Sequence, residues 1–253
     1  MARWRRTRPA ALLALFACSA VALGADAPWR DIESRIQYGY YTDDPAALRG
    51  LAELISGADP HDRLRGYYAG LLAWRQALLS EQGAPVPEAS SAQLAQRCVS
   101  ALDAALAIEA DFADALALRA LCLATPLTGG GLRAPFSGHR LRRDLDRALQ
   151  LAPRDPRVLL LDAMSDYELA PERGGNKERA LPKLRQTVAA FEAERSDTDR
   201  LPGWGAAEAW LLLGRDLLDH NDPVGARDAL ERALLIAPEY VQARRLMVRI
   251  TSG

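Results

Sequence analysis

The residue types that most often carry chemistry are sparse in this sequence and poorly spaced for it. Three histidines are present, His61, His139 and His220, and none shares a helical face with a cysteine or another histidine, as a zinc site requires. A glycine run at 129–131 lacks the following Gly-Lys-Ser/Thr of a phosphate-binding loop. Carboxylates alternate with arginines at helical spacing, which is typical of solvated helix faces. We therefore predict a protein that is not an enzyme and has no metal and no cofactor.

Two of the cysteines have a spacing that permits a disulfide. Cys98 and Cys122 lie on either side of a turn centred near residues 110–111, so antiparallel helices would bring them to one level. They form a bridge only if both side chains point inward. The alternative is a pair of free cysteines that pack as small buried residues.

The first 24 residues resemble an export signal. Several arginines precede the apolar segment 10–23, which is short for a membrane span, and a cleavage site precedes Ala25. Residues 15–18 also resemble a lipobox, apart from Phe16, which would place a lipid on Cys18. Cleavage, lipidation and a retained anchor are the three alternatives. We predict a periplasmic or exported protein that meets a membrane only if Cys18 is lipidated.

The composition favours helices and does not favour nucleic acid as a partner. Alanine, leucine, arginine and glutamate are abundant, and only four phenylalanines occur. The net charge is −1, so no strong positive field is expected. Lysine is confined to Lys177 and Lys183 beside many arginines, a bias typical of GC-rich bacterial genomes.

The clearest helical pattern lies in residues 207–240. Its apolar positions recur at helical spacing in two groups, Trp210, Leu213, Gly214 and Leu217, then Ala226, Leu230 and Ala233. Asp222 and Pro223 between the groups are typical of a helix start, and Pro238 ends the second helix. The segment is predicted to form a helical hairpin.

This pattern resembles the tetratricopeptide repeat (TPR), W-x2-L-G-x2-Y…A-x3-F-x2-A-x4-P, with Leu217 for Tyr and Leu230 for Phe. The same frame starts earlier at Asp62, Ala113 and Pro156, with insertions. The eighth position of every unit is small: Ala69, Ala120, Ala163 and Gly214. Because stacked hairpins share one core, the resemblance implies an all-α, right-handed α-solenoid of TPR-like helical hairpins with inserted loops, of an exported bacterial type.

The predicted organisation has four parts: a signal peptide at 1–24, an N-terminal arm at 25–43, a TPR-like solenoid domain at 44–253 and, within it, a capping helix at 239–250. The arm is expected to hold a short helix near 31–40. A helix at 45–56 is expected to bury Ala47, Leu51 and Leu54. Pro182 predicts a kinked helix or one that starts after Lys177.

The resemblance also implies a concave groove lined by the first helix of each hairpin. The residues that it places there are Arg63, Trp74, Arg157, Met164, Tyr167, Glu208 and Arg215. Arginines beside aromatic rings are typical of protein-binding surfaces. The alternative is that Trp74 and Tyr167 complete the core between repeats. Tyr38, Tyr40 and Tyr41 of the arm are themselves candidates to fill the groove.

Two glycine- and proline-rich insertions, at 125–138 and 170–176, are predicted to be neighbours along one edge of the solenoid. Arg133, Phe136 and Arg173 would then line a small-molecule site, or Phe136 would simply pack beneath the second loop. The favoured function is a non-enzymatic exported scaffold or adaptor that binds a partner protein or peptide. The alternatives are a TPR lipoprotein accessory of outer-membrane assembly or TRAP-type transport, and a small-molecule binder that uses these loops.

Overall fold

The computed structural model describes residues 27–83, 89–124, 134–171, 174–194 and 201–251. These residues form helices and no strand, which confirms the all-α prediction for this part of the chain. The helices are α1 (Ala27–Tyr41), α2 (Leu51–Ser56), α3 (Arg63–Glu81), α4 (Ser91–Ile108), α5 (Ala113–Ala124), α6 (Ala134–Leu151), α7 (Pro156–Glu168), α8 (Lys177–Glu194), α9 (Ala206–Asp219), α10 (Pro223–Ile236) and α11 (Val241–Thr251). Within the described ranges, no helix is long and apolar enough to cross a membrane.

Eight of the helices pack in consecutive pairs, α3 with α4, α5 with α6, α7 with α8 and α9 with α10. The first helices of the pairs also touch in order, α3 to α5, α5 to α7 and α7 to α9. α11 packs on α10 beside the last pair. A core therefore runs through the array, with the first helices along its inner side.

Local sequence signals fix where several helices begin. The side chains of Asp62, Asp155 and Asp222 each accept a hydrogen bond from a backbone N–H in the first turn of the following helix. Pro156 and Pro223 occupy the first turn, where a missing N–H costs nothing. Asp155 marks the turn between two pairs, Asp222 marks the turn inside the last pair, and Asp62 precedes the first pair.

Small residues let the paired helices approach closely. A Cβ atom added to Gly66 would lie 2.7 Å from the carbonyl oxygen of Ala101, and one added to Gly214 would lie 3.0 Å from Leu230. Any side chain at Gly66 would push α3 away from α4. The expected close approach at Gly214 is thus present, and α3 achieves the same with glycine.

Three expectations about helix bounds need correction. The helix predicted over 45–56 is only α2, because Gly50 takes a left-handed conformation (φ 80°) just before it. Leu54 is 53% exposed, while Leu48 and Ile55 are buried instead. Of the two alternatives at Pro182, the later helix start is wrong, because α8 begins at Lys177 with Pro182 inside it. The N-terminal arm is helical over all of α1, beyond the expected 31–40.

Cys98 of α4 and Cys122 of α5 form a disulfide in the structure, with their Cα atoms 6.1 Å apart. The bond joins the second helix of one pair to the first helix of the next. Closing a loop of this size stabilises a fold by about 3 kcal/mol, chiefly through the unfolded chain.

Candidate ligand-binding site

The N-terminal helix α1 packs inside the array rather than extending from it. Its apolar residues Trp29, Ile32, Ile36 and Tyr40 recur at helical spacing and are all buried. α1 lies against α3, and its polar side chains reach the far end of the row of first helices. It therefore joins the first pair of helices to the last.

The links to the far end of the array are hydrogen bonds from α1 to Glu208 of α9. Gln37 donates from Nε2 to Glu208 at 2.9 Å, and the Tyr41 hydroxyl donates at 2.7 Å. Nearer the start of α1, the Glu33 carboxylate accepts hydrogen bonds from the Gly203 N–H at 3.0 Å and from the Tyr68 hydroxyl at 2.7 Å.

Arg75 of α3 completes this group by forming an ion pair with Glu208. The two side chains are 0% and 3% exposed. The Arg75 guanidinium also lies over three aromatic rings, with centroid distances of 4.0 Å to Tyr40, 4.7 Å to Trp74 and 4.8 Å to Trp204. We call Gln37, Tyr40, Tyr41, Trp74, Arg75, Trp204 and Glu208 the closing cluster.

Arg75 keeps its charge although it is buried. Burial lowers its pKa, but Glu208 together with the phenols of Tyr40, Tyr41 and Tyr240 raises it by more, so the pKa is raised overall. Arg75 Nε and Nη1 have no hydrogen-bond partner among the described residues, and the guanidinium lies against aromatic faces, where a cation is favourable. Burial, then the charge of Glu208, raises the pKa of Tyr41 well above its ordinary value, so its hydroxyl stays a donor.

Beside the closing cluster lies a concave pocket of about 730 Å³. It opens among the four first helices, and the rest of its wall comes from α1, α11 and the residues that follow α3 and α7. Its apolar and aromatic lining consists of Tyr40, Trp74, Leu78, Leu121, Ala124, Met164, Leu169, Ala170, Leu211, Leu212 and Tyr240. A hollow of this size and composition is typical of small-molecule sites.

Polar residues are gathered at the pocket's mouth. Arg215 pairs with Glu168 at 2.7 Å, and Gln242 of α11 donates to Gln82 at 2.8 Å. Burial lowers the pKa of Arg215, but Glu168 together with Tyr167 and Tyr40 raises it by more, so the arginine stays charged. The pocket therefore combines an apolar interior with a polar rim, and Glu208 is a carboxylate in its wall.

The structure brings together four of the seven predicted groove residues. Trp74, Met164, Glu208 and Arg215 line the pocket. Arg63 lies elsewhere, pairing with Glu109 at 2.8 Å with its guanidinium 4.5 Å from the centre of the Phe112 ring.

Two further groove predictions need correction, because the side chains are engaged in the core. Arg157 is fully buried and pairs with Glu194 and, at 3.3 Å, with Asp114. Tyr167 is buried too and donates to Asp219 at 3.0 Å. Register alone placed both residues in the groove, but carboxylates on neighbouring elements hold them inside.

The residues predicted at the inserted loops and the lipobox cannot be placed in the site. Arg133, Arg173 and Cys18 lie outside the described residues. Phe136 falls in the first turn of α6, where only the backbone is described. Gly174 accepts a hydrogen bond from Arg142 of α6 at 3.3 Å, so the second loop does approach α6.

Sequence reasoning missed Arg75, Gln37 and Tyr240. Arg75 had a usable signal, since it is the single charge in the apolar stretch 69–79. Gln37 and Tyr240 had none, because their contacts depend on how α1 crosses the array. Tyr240 lies 4.5 Å from Tyr41, ring centre to ring centre.

Comparison with known proteins identifies the fold but not a family. No protein-family model matches the chain, and no curated protein does. Among solved structures, the HusA haemophore from Porphyromonas gingivalis is similar, with a TM-score of 0.58 and 22% sequence identity. The match covers 78% of this chain and 96% of that one. At this identity the likeness shows a shared helical architecture.

Proposed function

We propose that this chain is an exported, non-enzymatic binding protein that holds one flat, mainly apolar organic molecule in the pocket. The pocket itself carries the proposal, since its volume of about 730 Å³ falls within the range of small-molecule sites and its lining is mostly apolar and aromatic. Export rests on the signal-like residues 1–24. We also propose that the paired helices form a right-handed solenoid of TPR type, which the repeat positions support.

A porphyrin is the first ligand class to test. It is a flat, apolar ring with two carboxylates, which matches an apolar interior and a mouth that contains Arg215. The solved structure with the similar fold is described as a haemophore, and this supports the choice.

The pocket contains a side chain that could bind iron. The Met164 thioether is of a type that binds haem iron. Tyr240 is a poor ligand, because burial raises the pKa of its phenol well above the ordinary value and so disfavours the phenolate. No histidine or cysteine is among the residues that line the pocket in the described part of the chain. Shape and apolar contact would therefore supply most of the affinity.

A peptide or protein partner is the second candidate, and the observation that favours it is the row of first helices. α1 already covers part of that row, because Gln37 and Tyr41 donate hydrogen bonds to Glu208. A peptide would need to fit the remaining pocket or displace α1. The lipoprotein alternative depends on Cys18, outside the described residues.

Titration of the purified protein with iron protoporphyrin and with iron-free protoporphyrin tests the proposal. We expect both to bind at one per chain with Kd below about 10 μM and to quench tryptophan fluorescence, because Trp74 lines the pocket. Met164→Leu should keep both affinities and change only the absorption spectrum of the iron complex. Arg63→Gln, outside the pocket, is the control. Absence of saturable binding to either compound would rule the proposal out.

A further inference from the structure

A second cavity continues from the mouth of the pocket. Its volume is about 780 Å³, and it runs along α11. Leu211, Arg215 and Gln242 line both spaces, so a ligand can extend from one into the other. The second cavity is bordered by arginines rather than by aromatic rings. We call it the arginine groove; its other lining residues are Val241, Arg244, Arg245, Leu246, Val248 and Arg249.

The charge of the arginine groove is one-sided. Four arginines line it, and no lining residue is acidic. Arg215 pairs with Glu168, and Arg245 pairs with Asp43 at 2.7 Å. Arg244 and Arg249 are exposed and have no carboxylate partner among the described residues. Arg249 also lies in the last turn of α11, where a cation is favourable, but Arg244 lies near the helix N-terminus, where it is not.

We infer that the arginine groove binds the anionic groups of the same ligand whose apolar body fills the pocket. This inference rests on the proposed function and narrows the ligand class to amphipathic carboxylates or related anions. The guanidinium group suits such groups because it can donate two parallel hydrogen bonds to a carboxylate. The two cavities share three residues, which makes one ligand with two chemical ends the natural occupant.

The test compares a dicarboxylic porphyrin with its dimethyl ester, on the wild type and on Arg244→Gln/Arg249→Gln. Iron protoporphyrin and its dimethyl ester have the same ring, so only the anionic groups differ. We expect the wild type to bind the diacid about 10- to 100-fold more tightly, as charge-assisted hydrogen bonds imply. The double variant should lose most of that preference and bind the ester as the wild type does.

The control variant removes the same charge elsewhere. Arg227 and Arg232 lie on α10, where they pair with Glu231 and Glu192. Arg227→Gln/Arg232→Gln should leave the preference for the diacid unchanged, whereas a long-range effect of net charge would reduce it equally. Raising the salt concentration should weaken diacid binding to the wild type more than ester binding.

The outcomes separate the two proposals. Equal affinity of the wild type for diacid and ester would overturn the proposed role of the arginine groove in binding anionic groups. The proposal that the pocket binds the ring would stand. A double variant that loses the diacid and the ester equally would also overturn the role of the arginine groove, because the arginines would then act only on the shape of the pocket. Failure of the wild type to bind either compound would overturn the proposed function as well.

Discussion

The closing cluster and the pocket lie side by side on the inner face of the array, yet the chain treats them in opposite ways. In the closing cluster, α1 supplies Gln37, Tyr40 and Tyr41, and every large side chain is buried against another. In the pocket, apolar side chains such as Leu121 and Leu211 face a hollow. The chain therefore fills the part of its inner surface at the closing cluster and leaves the part at the pocket open.

The difference separates the contacts that stabilise the fold from the surface that is free to bind a ligand. A buried ion pair such as Arg75–Glu208 adds little net stability, but breaking it is costly, so it fixes which parts of the fold meet. An unfilled apolar hollow forgoes packing contacts, and a bound molecule can supply them. Tyr40, Trp74 and Glu208 belong to both regions, so the closing cluster forms one wall of the pocket.

The largest effect should come from breaking the closing cluster. Glu208→Leu leaves the charge of Arg75 buried and unpaired, and we expect it to lower the free energy of unfolding by about 3–5 kcal/mol. Urea denaturation followed by circular dichroism measures this. The control is Glu231→Ala, at an exposed pair with Arg227, where a loss below about 0.5 kcal/mol is expected. Similar losses for the two variants would mean that the cluster does not hold the fold together.

Filling the pocket should affect binding more than stability. Met164→Trp replaces a thin thioether chain with a bulky indole in the hollow. We expect porphyrin affinity to fall at least about 100-fold, or about 2.7 kcal/mol. The free energy of unfolding should change by less than about 1 kcal/mol, because the ring enters open space. Leu235→Trp, at a position that is 81% exposed, is the control. Unchanged affinity in Met164→Trp would place the ligand elsewhere.

The smallest effect should come from removing one hydroxyl of α1. Tyr41→Phe takes away one of three donors to Glu208, and we expect a loss of about 1.5 kcal/mol in the free energy of unfolding. Porphyrin affinity should not change. Tyr38→Phe, whose side chain is 56% exposed, is the matched control and should change neither quantity. A Tyr41→Phe variant with altered affinity would show that the two regions are coupled.

Much of the helical framework could be predicted from the sequence. Apolar spacing and the Asp-Pro starts located the hairpin of α9 and α10, because both signals act within a few residues. The small residue at Gly214 was correctly expected at a close helix approach. Such features need no knowledge of distant parts of the chain.

The site could be predicted only in part, because its defining contacts join distant residues. Trp74, Met164, Glu208 and Arg215 were found from the repeat register, which fixes one helical face. The same register misplaced Arg157, whose carboxylate partners come from two other helices, α5 and α8. The aromatic residues of α1 were candidates to fill the groove, but the sequence does not say how far α1 reaches. That reach decides how much of the pocket stays open.

The most direct test of the division between the filled closing cluster and the open pocket is hydrogen exchange of the full chain. It is measured with and without a saturating porphyrin. We expect slower exchange in the parts of α3, α7 and α9 that line the pocket and in the first turn of α11, with no change in the first half of α1. Faster exchange across α1 would show that the ligand displaces this helix. That result would contradict the account, because the closing cluster as well as the pocket would then belong to the binding site.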